Sequence, residues 1–166
     1  MHHPTTRARL LTIILAAGLL AAPLAASAMP SNVEEPKAAG KPANSDFADA
    51  KKAIDAKDWP LAIGLLKKVT TAEPSNPEAF NLLGFATRKS GDARGSLQYY
   101  QQALTLDAKH IGAHEYIGEA YLALNDLPKA EEHLRKLDDL CSFGCREYRD
   151  LKAAVEVYKK GQRPKS

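Results

Sequence analysis

The sequence predicts an all-α domain, a helix-turn-helix repeat solenoid of about three units with a C-terminal capping helix. Three observations carry this prediction. From Phe47 to Tyr158 apolar residues recur every three or four positions, the period of an amphipathic helix, and no continuous strand-like alternation occurs. Asp58, Asp92 and Asp126 stand 34 residues apart, each just before an apolar helical run. Small residues keep the same register: Ala50, Gly84 and Gly118 in the first helix of each unit, and Ala62, Ser96 and Ala130 in the second. A fixed period with two helices per unit marks a stacked repeat, because each unit buries its apolar face only against its neighbours.

Residues 1–28 read as a secretory signal peptide. Arg7 and Arg9 precede a nearly continuous apolar stretch from Leu10 to Ala26, and Ala26-Ser27-Ala28 supplies small residues at the cleavage spacing. The alternative is an uncleaved anchor. Pro23 and the Ala-rich composition argue against it, since a spanning helix needs ~20 strongly apolar residues. No cysteine lies near the junction and Arg7-Ala8-Arg9 is not a twin-arginine pair, so neither a lipid anchor nor folded export is expected. The expectation is an exported, periplasmic protein without membrane insertion after cleavage. Lys and Arg number 23 and Asp and Glu 20; the leader holds two Arg and no acid, leaving 21 against 20, a net of +1. No basic stripe remains to neutralise a run of phosphates, and nucleic acid is excluded as an expected partner.

Residues 29–45 carry three Pro, several Ala and almost nothing large and apolar, and read as a flexible linker. The repeat domain is expected over 46–160, with a short tail at 161–166. Within it, each of the three Asp can cap the unpaired N–H groups of the helix that follows. Pro60 and Pro128 fall in the first turn, where a missing N–H costs nothing. Leu66, Tyr100 and Leu134, then Val69, Ala103 and Leu137, complete a buried stripe on the second helices. A final helix from Cys145 to Lys159 has an apolar stripe of Tyr148, Leu151, Val155 and Tyr158, and suits a cap for the open end of the stack.

These columns resemble the tetratricopeptide repeat, a helix-turn-helix unit of 34 residues. Pro77–His110 fits best, through Phe80, Leu83-Gly84, Ser96, Tyr100 and Ala103. Ile111–Gly144 follows with Ile117-Gly118, Tyr121, Ala130 and Leu134. The first unit, from about Ala43 to Asn76, places Asp49 in a large apolar column, which predicts a frayed first helix. The resemblance covers about residues 44–160. It implies that the first helices line a groove for a peptide or partner helix. By helical spacing that face holds Phe47, Lys51 and Ile54, then Asn81, Phe85, Arg88 and Lys89, then Glu115, Tyr116 and Glu119. The clamp for C-terminal carboxylates best known in the family uses Lys and Asn on these helices. Lys51 and Asn81 reproduce it only in part, and Glu115 and Glu119 oppose it.

Candidates for chemistry are few. Cys141 and Cys145 lie in the turn before the last helix, and in an oxidising compartment read first as a structural disulfide. The alternative is a redox- or metal-responsive pair, with His133 as the one further ligand nearby. His110 and His114 have ligand spacing on a helix but no third ligand, and read as turn and packing residues. There is no G-x-S-x-G, no H-E-x-x-H and no phosphate-binding glycine loop. Neither enzyme activity nor a cofactor or metal is expected. The expected function is a protein-protein interaction adaptor in the cell envelope, binding through Phe47, Lys51, Asn81, Phe85, Arg88, Glu115, Tyr116 and Glu119. The alternatives are the Cys141–Cys145 switch and self-association through the incomplete first unit.

Overall fold

The computed structural model describes residues 43–161. The expected signal peptide, most of the linker and the tail beyond Gly161 lie outside the described residues. Seven helices fill the described chain: α1 (Ala43–Asp55), α2 (Trp59–Ala72), α3 (Pro77–Lys89), α4 (Ala93–Leu106), α5 (Ile111–Ala123), α6 (Leu127–Leu140) and α7 (Arg146–Lys159). None of them is long and apolar enough to cross a membrane. Each odd helix pairs with the next (α1 with α2, α3 with α4, α5 with α6), α2 packs on α3, α4 on α5, and α7 closes against α5 and α6.

Two boundary expectations change. Helix α1 begins at Ala43, inside the stretch read as linker to residue 45, and it runs unbroken to Asp55. Asp49 does not fray it, because its carboxylate turns outward to Lys52 at 3.1 Å while Ala50 and Ala53 fill the core positions.

The 34-residue register works through backbone chemistry. Asp58, Asp92 and Asp126 each accept a hydrogen bond from an N–H of the next helix, at 3.1, 2.7 and 3.2 Å. Asn76 and His110 do the same at the turns between units, to Ala79 at 3.0 Å and Ala113 at 3.2 Å. Each cap is worth about 1 kcal/mol. The residues before the three aspartates form a further column, since Lys57, Gly91 and Asn125 all have positive φ, at 57°, 103° and 62°. With the chain turned this way, the N–H groups of Asp58, Asp92 and Asp126 reach back to the carbonyls of Ala53, Thr87 and Tyr121. Each aspartate therefore closes one helix and opens the next.

Packing follows the small-residue columns. Ala62, Ser96 and Ala130 are wholly buried, as are Leu66, Tyr100, Val69, Ala103 and Leu137. A Cβ added at Gly84 would lie 2.6 Å from the Tyr100 ring, and one at Gly118 would lie 2.5 Å from the Leu151 side chain. Those glycines let α3 accept Tyr100 of α4, and α5 accept Leu151 of α7. Burying Leu151 and Val155 removes the apolar side of α7 from water, so the last repeat does not end on an open core.

Three outcomes follow for thermal melts monitored by circular dichroism. Lys57→Gly relieves a left-handed backbone that costs a side-chain-bearing residue about 1 kcal/mol, and Tm is expected to rise by roughly 4 °C. Gly84→Ala is expected to lower stability by roughly 1–3 kcal/mol, because the buried Tyr100 ring must shift. Gly64→Ala, with nothing within 4 Å of the new methyl, is expected to stabilise α2 instead.

Candidate functional site

Helices α3 and α5 share a face on which four of the sequence-selected residues meet. Phe85 of α3 lies 4.9 Å from the Tyr116 ring of α5, centroid to centroid. On its other side Phe85 meets Trp59 edge-on at 6.1 Å. Tyr116 in turn approaches Tyr100 at 6.3 Å. The Arg88 guanidinium lies over both Phe85 and Tyr116, at 5.8 and 5.9 Å from the ring centroids, and bonds Glu119 at 2.5 Å. The rings and the ion pair support one another: aromatic faces attract the cation, and the carboxylate neutralises it where water is scarce.

The remaining selected residues are placed differently. Asn81 is buried, its Nδ2 donating to Glu78 at 3.2 Å while its Oδ1 has no partner. Glu115 is only 5% exposed, and its Oε2 has no partner either. Phe47 packs on the core of the first unit, and exposed Lys51 lies 5.8 Å from its ring. Arg88 is 6% exposed. It positions the rings and Glu119 rather than standing free in solvent, as a charge on this helix face would be read from sequence alone. Sequence reasoning missed Trp59, the first residue of α2, whose signal was an aromatic directly after the Asp58 cap. It also missed the charged start of α7, where Arg146 reaches Glu147 at 3.9 Å and Asp150 at 3.8 Å.

The electrostatics of the face are uneven. Burial pushes the Glu115 carboxyl up to about 8, helped by the negative charges of Glu119, Asp150 and Glu147 and opposed by Arg146. Burial likewise holds the Tyr116 phenol up at about 12. For Arg88 burial works against the charge, but Tyr100 and Glu119 outweigh it and the guanidinium stays protonated. Lys89 is lowered by burial and then by Arg88 beside it. The face therefore has a cationic side at α3 and an acidic side at α5 and α7.

The family model for the tetratricopeptide repeat matches residues 87–155, from the end of α3 into α7. Residues 87–155 match the tetratricopeptide repeat, and the described helices share the fold of solved tetratricopeptide repeat domains. Solved repeat domains superpose on them widely. The TPR2B domain of yeast Sti1, in complex with pHsp70, aligns with TM-score 0.66 and 16% identity, covering 72% of this chain and 98% of that one. The type III secretion translocator chaperone SycD of Yersinia enterocolitica gives 0.65 and 16%, covering 71% and 83%. MamA of Desulfovibrio magneticus gives 0.57 and 26%, covering 58% of this chain and 55% of that one. No curated protein matches the sequence significantly. The first tetratricopeptide unit precedes the matched residues, and its assignment rests on the pairing of α1 with α2.

Away from the α3–α5 face, the cysteines and histidines of the repeat domain hold structure together. Cys141 and Cys145 bring their sulfurs to bonding distance across the turn between α6 and α7, with Cα atoms 5.4 Å apart. His133 turns away from them to pair with His114, Nδ1 to Nδ1 at 2.9 Å, and stacks on Tyr121. Because His114 Nε2 donates to the Ala108 carbonyl at 3.1 Å, its Nδ1 accepts from His133. Burial and then the neighbouring His114 hold His133 down at about 4, so the pair is neutral near pH 7. His110 caps α5 and bonds Glu78 at 3.0 Å, which raises it above the ordinary histidine range. Among the described residues no group of three His, Cys, Asp or Glu is placed to hold a metal ion.

Glu115 gives the site a measurable pH signature. Its carboxyl is raised on folding, so the folded state keeps a proton that the unfolded state releases between the ordinary carboxylate range and about pH 8. Stability is expected to fall as pH rises through that window and to level off above it. Glu115→Gln is expected to flatten this dependence. Its Tm at pH 8 should exceed the parent's by roughly 4–8 °C, about 1 kcal/mol, with little difference at pH 4.5. Parallel melting curves for the two proteins across pH 4.5–9 would disprove it.

Proposed function

We propose that this protein is a non-catalytic adaptor of the cell envelope, exported by its leader, that holds a protein or peptide partner on the shared face of α1, α3 and α5. The observation that carries the reading is the α3–α5 face itself. It presents half-buried Phe85 and Tyr116 around the Arg88–Glu119 pair, with unpartnered buried atoms on Asn81 and Glu115 beside them. Aromatic anchors on a rigid frame, ringed by charge, are the usual composition of a binding hot spot. Buried polar atoms are nearly always bonded, so atoms left without partners mark where an incoming chain gains most.

Support also comes from the relatives. The yeast Sti1 domain is in complex with pHsp70, and the first repeat domain of Spaghetti (RPAP3) is bound to the HSP90 peptide SRMEEVD. The basic start, apolar stretch and Ala26-Ser27-Ala28 of the leader support export.

Site-specific photo-crosslinking in living cells tests the reading. A benzophenone amino acid is placed at Lys51 or Lys89 on the proposed face, or at Arg94 or Gln98 on α4. Adducts of discrete mass are expected from the first two positions, at least about fivefold above the second two. Equal adducts from all four positions, or none from Lys51 and Lys89, would overturn it.

A further inference from the structure

The two sides of the face differ in what their charges still lack. On the α3 side, Arg88 is paired with Glu119 and lies over two aromatic rings, its Nε alone left without a partner. On the α5–α7 side, Glu119, Glu147 and Asp150 all act on Glu115, and the nearby cations are Arg88 and Arg146. Arg88 is committed to Glu119. Arg146 is 69% exposed and holds Glu147 and Asp150 only at 3.9 and 3.8 Å, without reaching Glu115. Glu115 is therefore a carboxyl that is 95% buried, has an unpartnered oxygen and feels the charges of Glu119, Asp150 and Glu147 with little positive charge to offset them.

We propose that the α5–α7 end of the face receives a basic side chain, the partner docking an Arg or Lys against Glu115 with Glu119, Glu147 and Asp150 around it. The inference rests on the adaptor reading and names the chemistry of the occupant. Charge complementarity selects it. A C-terminal carboxylate would meet four acids there, and these acids do not converge as metal ligands. A guanidinium or ammonium would give Glu115 the bond it lacks, while its alkyl stem lies on the half-buried Tyr116 ring. Docking a cation there favours the ionised form of Glu115, so binding releases a proton. The groups that bear on that ionisation are Tyr116 and Glu119 of α5, Arg88 of α3 through Glu119, and Arg146, Glu147 and Asp150 of α7. The preference for a basic side chain should accordingly strengthen as pH rises from 6 to 9.

The test uses the purified full chain and fluorescent nonapeptide pools, random except for a fixed central Arg, Lys, Gln or Glu. Binding is read by anisotropy at low salt. The Arg and Lys pools are expected to bind about tenfold more tightly than the Gln pool, the gain of one charge-assisted contact, with the Glu pool weakest. Glu115→Gln is expected to remove that preference with helicity unchanged. Asp150→Asn with Glu147→Gln, on the solvent side of α7, is expected to reduce it about threefold, and serves if the first variant folds poorly. Phe85→Ala is expected to weaken every pool. If Phe85→Ala weakens all pools while the central residue makes no difference, or if Glu115→Gln keeps the preference, the face stands and the basic-side-chain inference falls. If no pool responds to Phe85→Ala, or none binds at millimolar peptide, the adaptor reading falls and takes the inference with it.

Discussion

Tyr100 lies where Gly84 leaves room for it, and much of the molecule is organised around that contact. The ring is fully buried on α4, reaches α3 through the missing side chain of Gly84, and touches α5 through Tyr116. It thus joins two repeats and also forms the back of the aromatic cluster that frames Arg88. A methyl group at Gly84 would push the ring, and the ring cannot move without disturbing Tyr116. Packing density makes the interior a poor absorber of such shifts. The contact that stacks the repeats is for this reason also the one that sets the geometry of the α3–α5 face.

Electrostatics on that face follow from the same stacking. Arg88 and Glu119 are 31 residues apart and meet only because consecutive units place α3 beside α5. Removing a guanidinium from water is costly, and three things offset it here: the carboxylate and two aromatic faces. Glu115, one turn before Glu119 on the same helix, finds no such partner. The cap helix α7 brings two further acids toward it with only a loosely held Arg146 between them. Closing the solenoid with α7 therefore covers the core and at the same time concentrates negative charge at one end of the face.

Most of the architecture was legible because it is written in periodic residues. The capping aspartates, the small-residue columns and the apolar stripe of α7 have local causes, and each appears where the spacing puts it. The left-handed column was harder to see. Gly91 and Asn125 announce a positive φ, but Lys57 hides the third member, since a lysine gives no sign of such a backbone. Sequence spacing put Phe85, Arg88, Tyr116 and Glu119 on one face, and the four side chains meet in the fold. It did not show that Arg88 would be buried, because that depends on a partner in the next repeat. Nor did it show that His133 would be taken by His114 rather than by the cysteines, a pairing across α5 and α6 that no local pattern encodes.

The unpartnered groups are the places where the sequence departs from what stability alone would select. A buried carboxyl beside three other acids could be replaced by a glutamine of nearly the same volume with less electrostatic cost. Asn81, with its carbonyl oxygen unbonded in a buried position, has the same character. Arg88 Nε and the Tyr100 hydroxyl are likewise buried without a partner, whereas the helix starts are well satisfied, with five side-chain caps from Asp58 to Asp126. Local disagreement with an otherwise consistent design is where function is usually found. Among the described residues, three of the four unpartnered atoms, on Asn81, Arg88 and Glu115, lie on the first helices of their units, and the fourth, the Tyr100 hydroxyl of α4, belongs to the aromatic cluster that frames Arg88. That segregation makes a defect of packing a poor explanation, and makes a face kept ready for an incoming chain the simpler physical account.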